Sequence, residues 1–167
     1  MHYQKRNLHS LVFLCALFYS LYMCEEKTSQ WVCGLMTVLY FLQDFFIHPP
    51  LKRDMVCHHV LGTLLVCSSR HSNWDEIVVV YETEWSTIFL VLMSMNICTS
   101  VSTPLFVVSF FYFRIYRLTV LLLNRADYTL VNLLVACLFG LNMYWQYCII
   151  RKIIRSLRKK RNHQTIK

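Results

Sequence analysis

A chain of 167 residues has room for about one domain, and its composition decides which solvent that domain needs. Hydrophobic residues make up 56% and charged residues 16%, with a mean hydropathy of +0.41, against about 45–50% and about 25% in soluble proteins. Eleven Phe, ten Tyr and four Trp exclude a disordered chain, three Gly and three Pro exclude a collagenous or linker-dominated one, and a net charge of +8 has still to be placed.

Six apolar stretches follow one another, each approaching the roughly 20 residues that cross a bilayer core. The first, Leu8–Cys24, follows Lys5-Arg6 as a signal peptide would. Its end, Leu21-Tyr22-Met23-Cys24-Glu25, is bulky and then acidic, where a cleavage site needs small residues, so it is expected to stay as a first helix. Ser29–His48 is the second. The third, Leu51–Ser69, is the weakest, because it is short, begins after Pro49-Pro50 and carries His58 and His59. Ile77–Cys98, Pro104–Asn124 and Tyr128–Ile150 complete the set. The breaks at Glu25-Glu26-Lys27, Pro49-Pro50, Arg70 to Glu76, Thr99 to Thr103 and Arg125-Ala126-Asp127 are brief. The expectation is an all-α membrane bundle of about six transmembrane helices over 1–150, with a basic tail over 151–167.

Orientation follows from Lys and Arg. Twelve of them fall at the N-terminus, the second loop and the C-terminus; Lys27, Arg70 and Arg125 fall on the other side. Both termini are therefore expected to face the cytoplasm. Seven of the 17 Lys and Arg lie between Arg151 and Arg161, directly after an apolar run. That placement suits anionic lipid headgroups, at about 1 kcal/mol per surface charge, and not nucleic acid.

Eight cysteines sit within or at the edges of apolar runs, with no Cys-x-x-Cys pair. They read as small polarizable packing residues, and neither a disulfide framework nor a metal site is expected from their spacing.

The informative residues are those that hydropathy forbids: Asp44, His58, His59, Glu82, Glu84, Arg114, Arg117 and Asn142. Ionisable groups in a membrane interior must face one another or a cavity. At about 1.5 Å per residue, Asp44 lies roughly 6 Å and His58 roughly 10 Å from the cytoplasmic side. Asn142 reaches a similar level from the opposite face, with Arg114 near the midplane and Glu84 somewhat beyond. Convergence on one cavity is expected. Glu84, Thr83 and Thr87 share a helical face, as do Arg114 and Arg117. Glu82 and Glu84 point apart, and one of the two histidines is expected in the cavity while the other meets a neighbouring helix. For Glu84–Arg114 a register-fixing ion pair and a ligand site both remain open. Phe110-Phe111-Tyr112-Phe113 reads as packing or lipid contact, and Glu82 and Arg117 as interfacial. Metal binding by His58, His59 and Asp44 is disfavoured, since adjacent helical histidines do not readily share one ion.

In order, Arg6-Asn7-Leu8-His9-Ser10, Asp44, His58-His59-x-x-Gly62, Glu84-Trp85-Ser86-Thr87-Ile88-Phe89, Phe111-Tyr112-Phe113-Arg114-Ile115 and Asn142-Met143-Tyr144-Trp145 cover nearly the whole chain. This ordered set resembles the TLC-domain family, whose lipid-handling membrane proteins include the ceramide synthases and several small six-span members. Where the synthases carry His-Asp-x-x-Asp, this chain has Thr83-Glu84-x-x-Thr87, so the small members are the closer likeness. The resemblance implies an endoplasmic-reticulum protein without a resident cofactor, with membrane lipids as partners and with oligomerisation open. It implies a lipid cavity engaging Arg114, Glu84, Thr87, Asn142 and Trp145. The alternative it implies is N-acyl transfer onto a sphingoid base from acyl-CoA as co-substrate. His58 or His59 would then be base or acyl acceptor, and Glu84 or Asp44 would orient the ring.

Overall fold

In the computed structural model, which describes residues 2–24, 26–47, 52–68, 74–124 and 130–165, every regular element is a helix. They are α1 (His2–Met23), α2 (Glu26–Ile47), α3 (Arg53–Ser68), α4 (Trp74–Glu82), α5 (Trp85–Ser94), α6 (Thr99–Ser109), a π-helical stretch (Phe110–Tyr116), α7 (Arg117–Asn124) and α8 (Leu130–Thr165). Among the described residues, three stretches are long and apolar enough to cross a membrane: Ile77–Ser94, Thr99–Asn124 and Leu130–Ser156. Leu8–Met23 is a shorter apolar helix. At 16 residues, α3 reaches about 24 Å, less than the roughly 30 Å of a hydrocarbon core.

Polarity is turned outside in. Val12, Tyr19, Trp31, Leu35, Val108, Leu123 and Leu133 are exposed, while His58, His59, Glu84, Arg114 and Asn142 are buried. Water would drive the reverse arrangement, and the apolar surface, with three helices long and apolar enough to span, is compatible with a membrane protein.

Two apolar clusters hold the ends of the chain in place. Leu14, Leu17, Phe18 and Leu21 of α1 pack with Cys33 of α2 and with Ile77 and Tyr81 of α4. Leu65 of α3 packs with Leu118 and Leu121 of α7 and with Leu134, Val135 and Leu138 of α8. Elements adjacent in sequence pack together (α1 with α2, α2 with α3, α5 with α6), and α3 packs against α8.

Three boundaries differ from the sequence expectation. The fourth stretch is interrupted at Thr83-Glu84 and forms α4 and α5. The turn expected at 99–103 lies earlier, between Ser94 and Thr99, where Asn96 (φ 57°) and Cys98 (φ 45°) take left-handed backbone. Asn tolerates that conformation through its short polar side chain. Pro104 consequently sits inside α6 instead of opening it. Lastly, α8 does not end with the sixth apolar stretch at Ile150 but continues to Thr165. Arg151, Lys152, Arg155 and Arg158 are exposed along this extension.

Gly140 lies on the exposed side of α8, with nothing within 4 Å of where a Cβ would stand. Gly140→Ala is therefore expected to stabilise the helix by up to about 1 kcal/mol, read as a higher Tm of the detergent-solubilised protein.

Candidate functional site

The break between α4 and α5 creates the site. In an uninterrupted α-helix the Thr87 N–H would donate to the Thr83 carbonyl. Here it donates instead to the Glu84 carbonyl at 2.9 Å, leaving the Thr83 carbonyl open inside the bundle. Arg114 fills the vacancy: its Nε donates to Thr83 O at 3.1 Å and to Ser86 Oγ at 2.8 Å. Ser86 Oγ in turn donates to the same Thr83 carbonyl at 3.0 Å.

The rest of the guanidinium is held as tightly. Nη1 donates to Asn142 Oδ1 at 3.3 Å. Nη2 donates to Glu84 Oε1 at 3.3 Å and to Thr87 Oγ1 at 2.9 Å. Thr87 Oγ1 donates onward to Glu84 Oε2 at 2.7 Å, so both carboxylate oxygens are engaged. Arg114 is 4% exposed and Asn142 0%. Its cation also lies 5.4 Å from the Phe110 ring centroid and 5.9 Å from that of Trp145.

The π-helical stretch explains how Arg114 arrives there. In a π turn residues i and i+5 stack, while i and i+4 remain neighbours. Phe110, Arg114 and Ile115 are thereby all buried, and Phe111 and Tyr112 stay exposed. Phe110 thus belongs to the site, beyond the packing role expected of its aromatic run.

Around this network lies a cavity of about 250 Å³. Its walls include His58, His59, Glu84, Thr87, Arg114 and Trp145, completed by apolar side chains such as Leu90 and Phe106. Both histidines line it, which corrects the expectation that one would turn away; the cavity reaches across two neighbouring faces of α3. His58 Nε2 is 3.8 Å from Glu84 Oε1. Its ring centroid is 5.2 Å from that of Trp145, and the Phe41 ring packs against both imidazoles, at 5.6 Å and 4.5 Å. Trp145 is fixed by its indole Nε1, which donates to Asp54 Oδ2 at 2.8 Å and ties α8 to α3. His58, Glu84, Thr87, Arg114, Asn142 and Trp145 are therefore brought together. Asp44 has its backbone on α2, and its side chain lies outside the described residues. Among the described residues, no group of three His, Cys, Asp or Glu side chains is arranged to hold a metal ion.

Glu82, the last residue of α4, has partners of its own. It pairs with Arg117, while Tyr22 donates to its Oε1 at 3.1 Å and Trp85 Nε1 donates to the Tyr22 hydroxyl at 3.4 Å. Arg114 of the π-helical stretch and Arg117 of α7 thus hold Glu84 in the break and Glu82 just before it. Tyr22→Phe removes the hydroxyl that joins α1 to both Glu82 and Trp85. A loss of about 1 kcal/mol is expected, measurable as a lowered Tm with the Phe18–Trp85 stack, at 4.0 Å, left in place.

Sequence reading missed Ser86, Tyr22 and the Asp54–Trp145 contact. Ser86 becomes a ligand of Arg114 only because the helix breaks two residues earlier, and no periodicity announces that break. Tyr22 and Asp54 find partners 60 and 91 residues away in sequence, beyond the reach of any local pattern.

No family model, no curated protein and no solved structure matches this chain.

Proposed function

We propose that the chain is a six-span integral membrane protein, with both termini cytoplasmic, that holds a membrane lipid in the Arg114 cavity and so acts on lipid composition. One observation carries this reading: a buried, fork-bonded guanidinium paired with Glu84 stands in the wall of a cavity otherwise lined mostly by apolar and aromatic groups. Apolar walls with a few converging polar groups are the usual form of a small-molecule site. An ion pair serving only to fix helix register would need no adjoining space. The likeness of the ordered motifs to small TLC-domain proteins supports the same reading and an endoplasmic-reticulum location, and the exposed basic face of α8 suits anionic headgroups beside its last membrane turn.

The test is lipid retained by the protein purified in mild detergent, extracted and quantified by mass spectrometry. About one lipid per chain is expected. Leu90→Trp, which fills the apolar wall while sparing the Arg114 network, is expected to reduce it several-fold. A monodisperse, folded protein that carries no lipid above the level of the Leu90→Trp variant would overturn the reading.

Acyl transfer has one observation in its favour, the approach of His58 Nε2 to within 3.8 Å of the Glu84 carboxylate inside the cavity. A carboxylate so placed can orient an imidazole and stabilise its protonated form. Against this, Glu84 is already neutralised by Arg114 and bonded by Thr87. Turnover of acyl-CoA with a sphingoid base in proteoliposomes, abolished by His58→Ala, would establish the enzyme.

A further inference from the structure

The charge of the cavity wall specifies more than a lipid in general. Resting on the lipid-holding reading, we infer that its occupant is a lipid whose head presents an acceptor oxygen, a carboxylate or an ester carbonyl, to Arg114, and that a lipid amine is excluded.

The sign comes from the wall. Among its residues Glu84 is the acid, Arg114 the guanidinium, and His58 and His59 the imidazoles. With neutral imidazoles the wall sums to zero, and with either protonated it is positive. The single carboxylate already takes bonds on both oxygens, from Arg114 and from Thr87. An ammonium would find no free anion, and its burial in an uncompensated apolar cavity is costly. Hydrogen-bond capacity runs the other way. Arg114 has five N–H donors; Nε, both on Nη2 and one on Nη1 are used. One Nη1–H is left for an acceptor.

The experiment compares three photoactivatable sixteen-carbon probes of matched chain, with free acid, methyl ester and primary amine heads, on the full chain in proteoliposomes. Crosslinks are mapped by mass spectrometry, with and without excess unlabelled competitor. Expected is competed labelling of peptides in α6 and α8 by the acid, the ester or both, reduced at least five-fold in Leu90→Trp, and uncompeted background from the amine. Competition by the acid alone assigns a carboxylate head; competition by both acid and ester assigns the carbonyl oxygen. Competed labelling by the amine equal to or above the acid overturns the assignment of the head, with lipid holding intact. If no probe is competed while the protein still retains lipid, the assignment of the head fails and lipid holding stands. If the protein retains no lipid and no probe is competed, both fall.

Discussion

Replacing Arg114 by Leu is expected to destabilise the bundle by about 3–5 kcal/mol, enough to remove most folded protein from the membrane fraction. The substitution leaves the Glu84 carboxylate buried without its cation and strips the Thr83 carbonyl and Asn142 Oδ1 of a donor. A buried charge deprived of its partner costs more than the pair ever contributed, since the desolvation remains and the attraction does not. Arg114→Lys retains the charge but not the fork that spans Thr83, Glu84, Thr87 and Asn142. Its loss should fall between wild type and Leu. Glu84→Gln placed on top of Arg114→Leu removes the orphan charge and is expected to recover part of the stability, giving a coupling of about 0.5–3 kcal/mol. Thermal unfolding of detergent-solubilised protein, followed by size-exclusion chromatography, reads wild type, these three variants and the Glu84→Gln single that the coupling requires. An Arg114→Leu protein with an unchanged Tm would show that the network contributes nothing to the fold.

The second large effect is expected at Gly62. A Cβ there would collide with the Phe41 ring, meeting Cε2 and, at 2.9 Å, Cζ. Phe41 is 4% exposed, and its ring is hemmed in by His58, His59 and Tyr40. To admit even a methyl group the ring must shift within this packing. Overpacking of this kind costs about 1–3 kcal/mol, which exceeds the roughly 1 kcal/mol that Ala gains over Gly in a helix. Gly62→Ala should therefore lower Tm where Gly140→Ala raises it, and Gly62→Val should lower it further. A Gly62→Ala variant as stable as Gly140→Ala would mean that the Phe41 ring has room to turn.

These two positions also divide what each level of description decided. The sequence by itself determined the helical class, and its apolar composition called for a membrane setting, with which the outward-facing Val12, Leu35, Val108 and Leu133 are compatible. It also determined that Glu84 and Arg114 would need each other, because a charge buried in hydrocarbon has few ways to persist. It carried the i, i+3 relation of Glu84 to Thr87, which the 2.7 Å hydrogen bond realises. The tertiary structure alone decided that the helix breaks at Thr83-Glu84, that a π turn delivers Arg114 into the break, and that both histidines reach one cavity. It alone placed Tyr22 on Glu82 and Asp54 on Trp145. Periodicity and hydropathy record what each residue prefers as its surroundings. Which carbonyl is left open, and which distant donor closes it, depends on where helices cross, and that is settled only when the whole bundle packs.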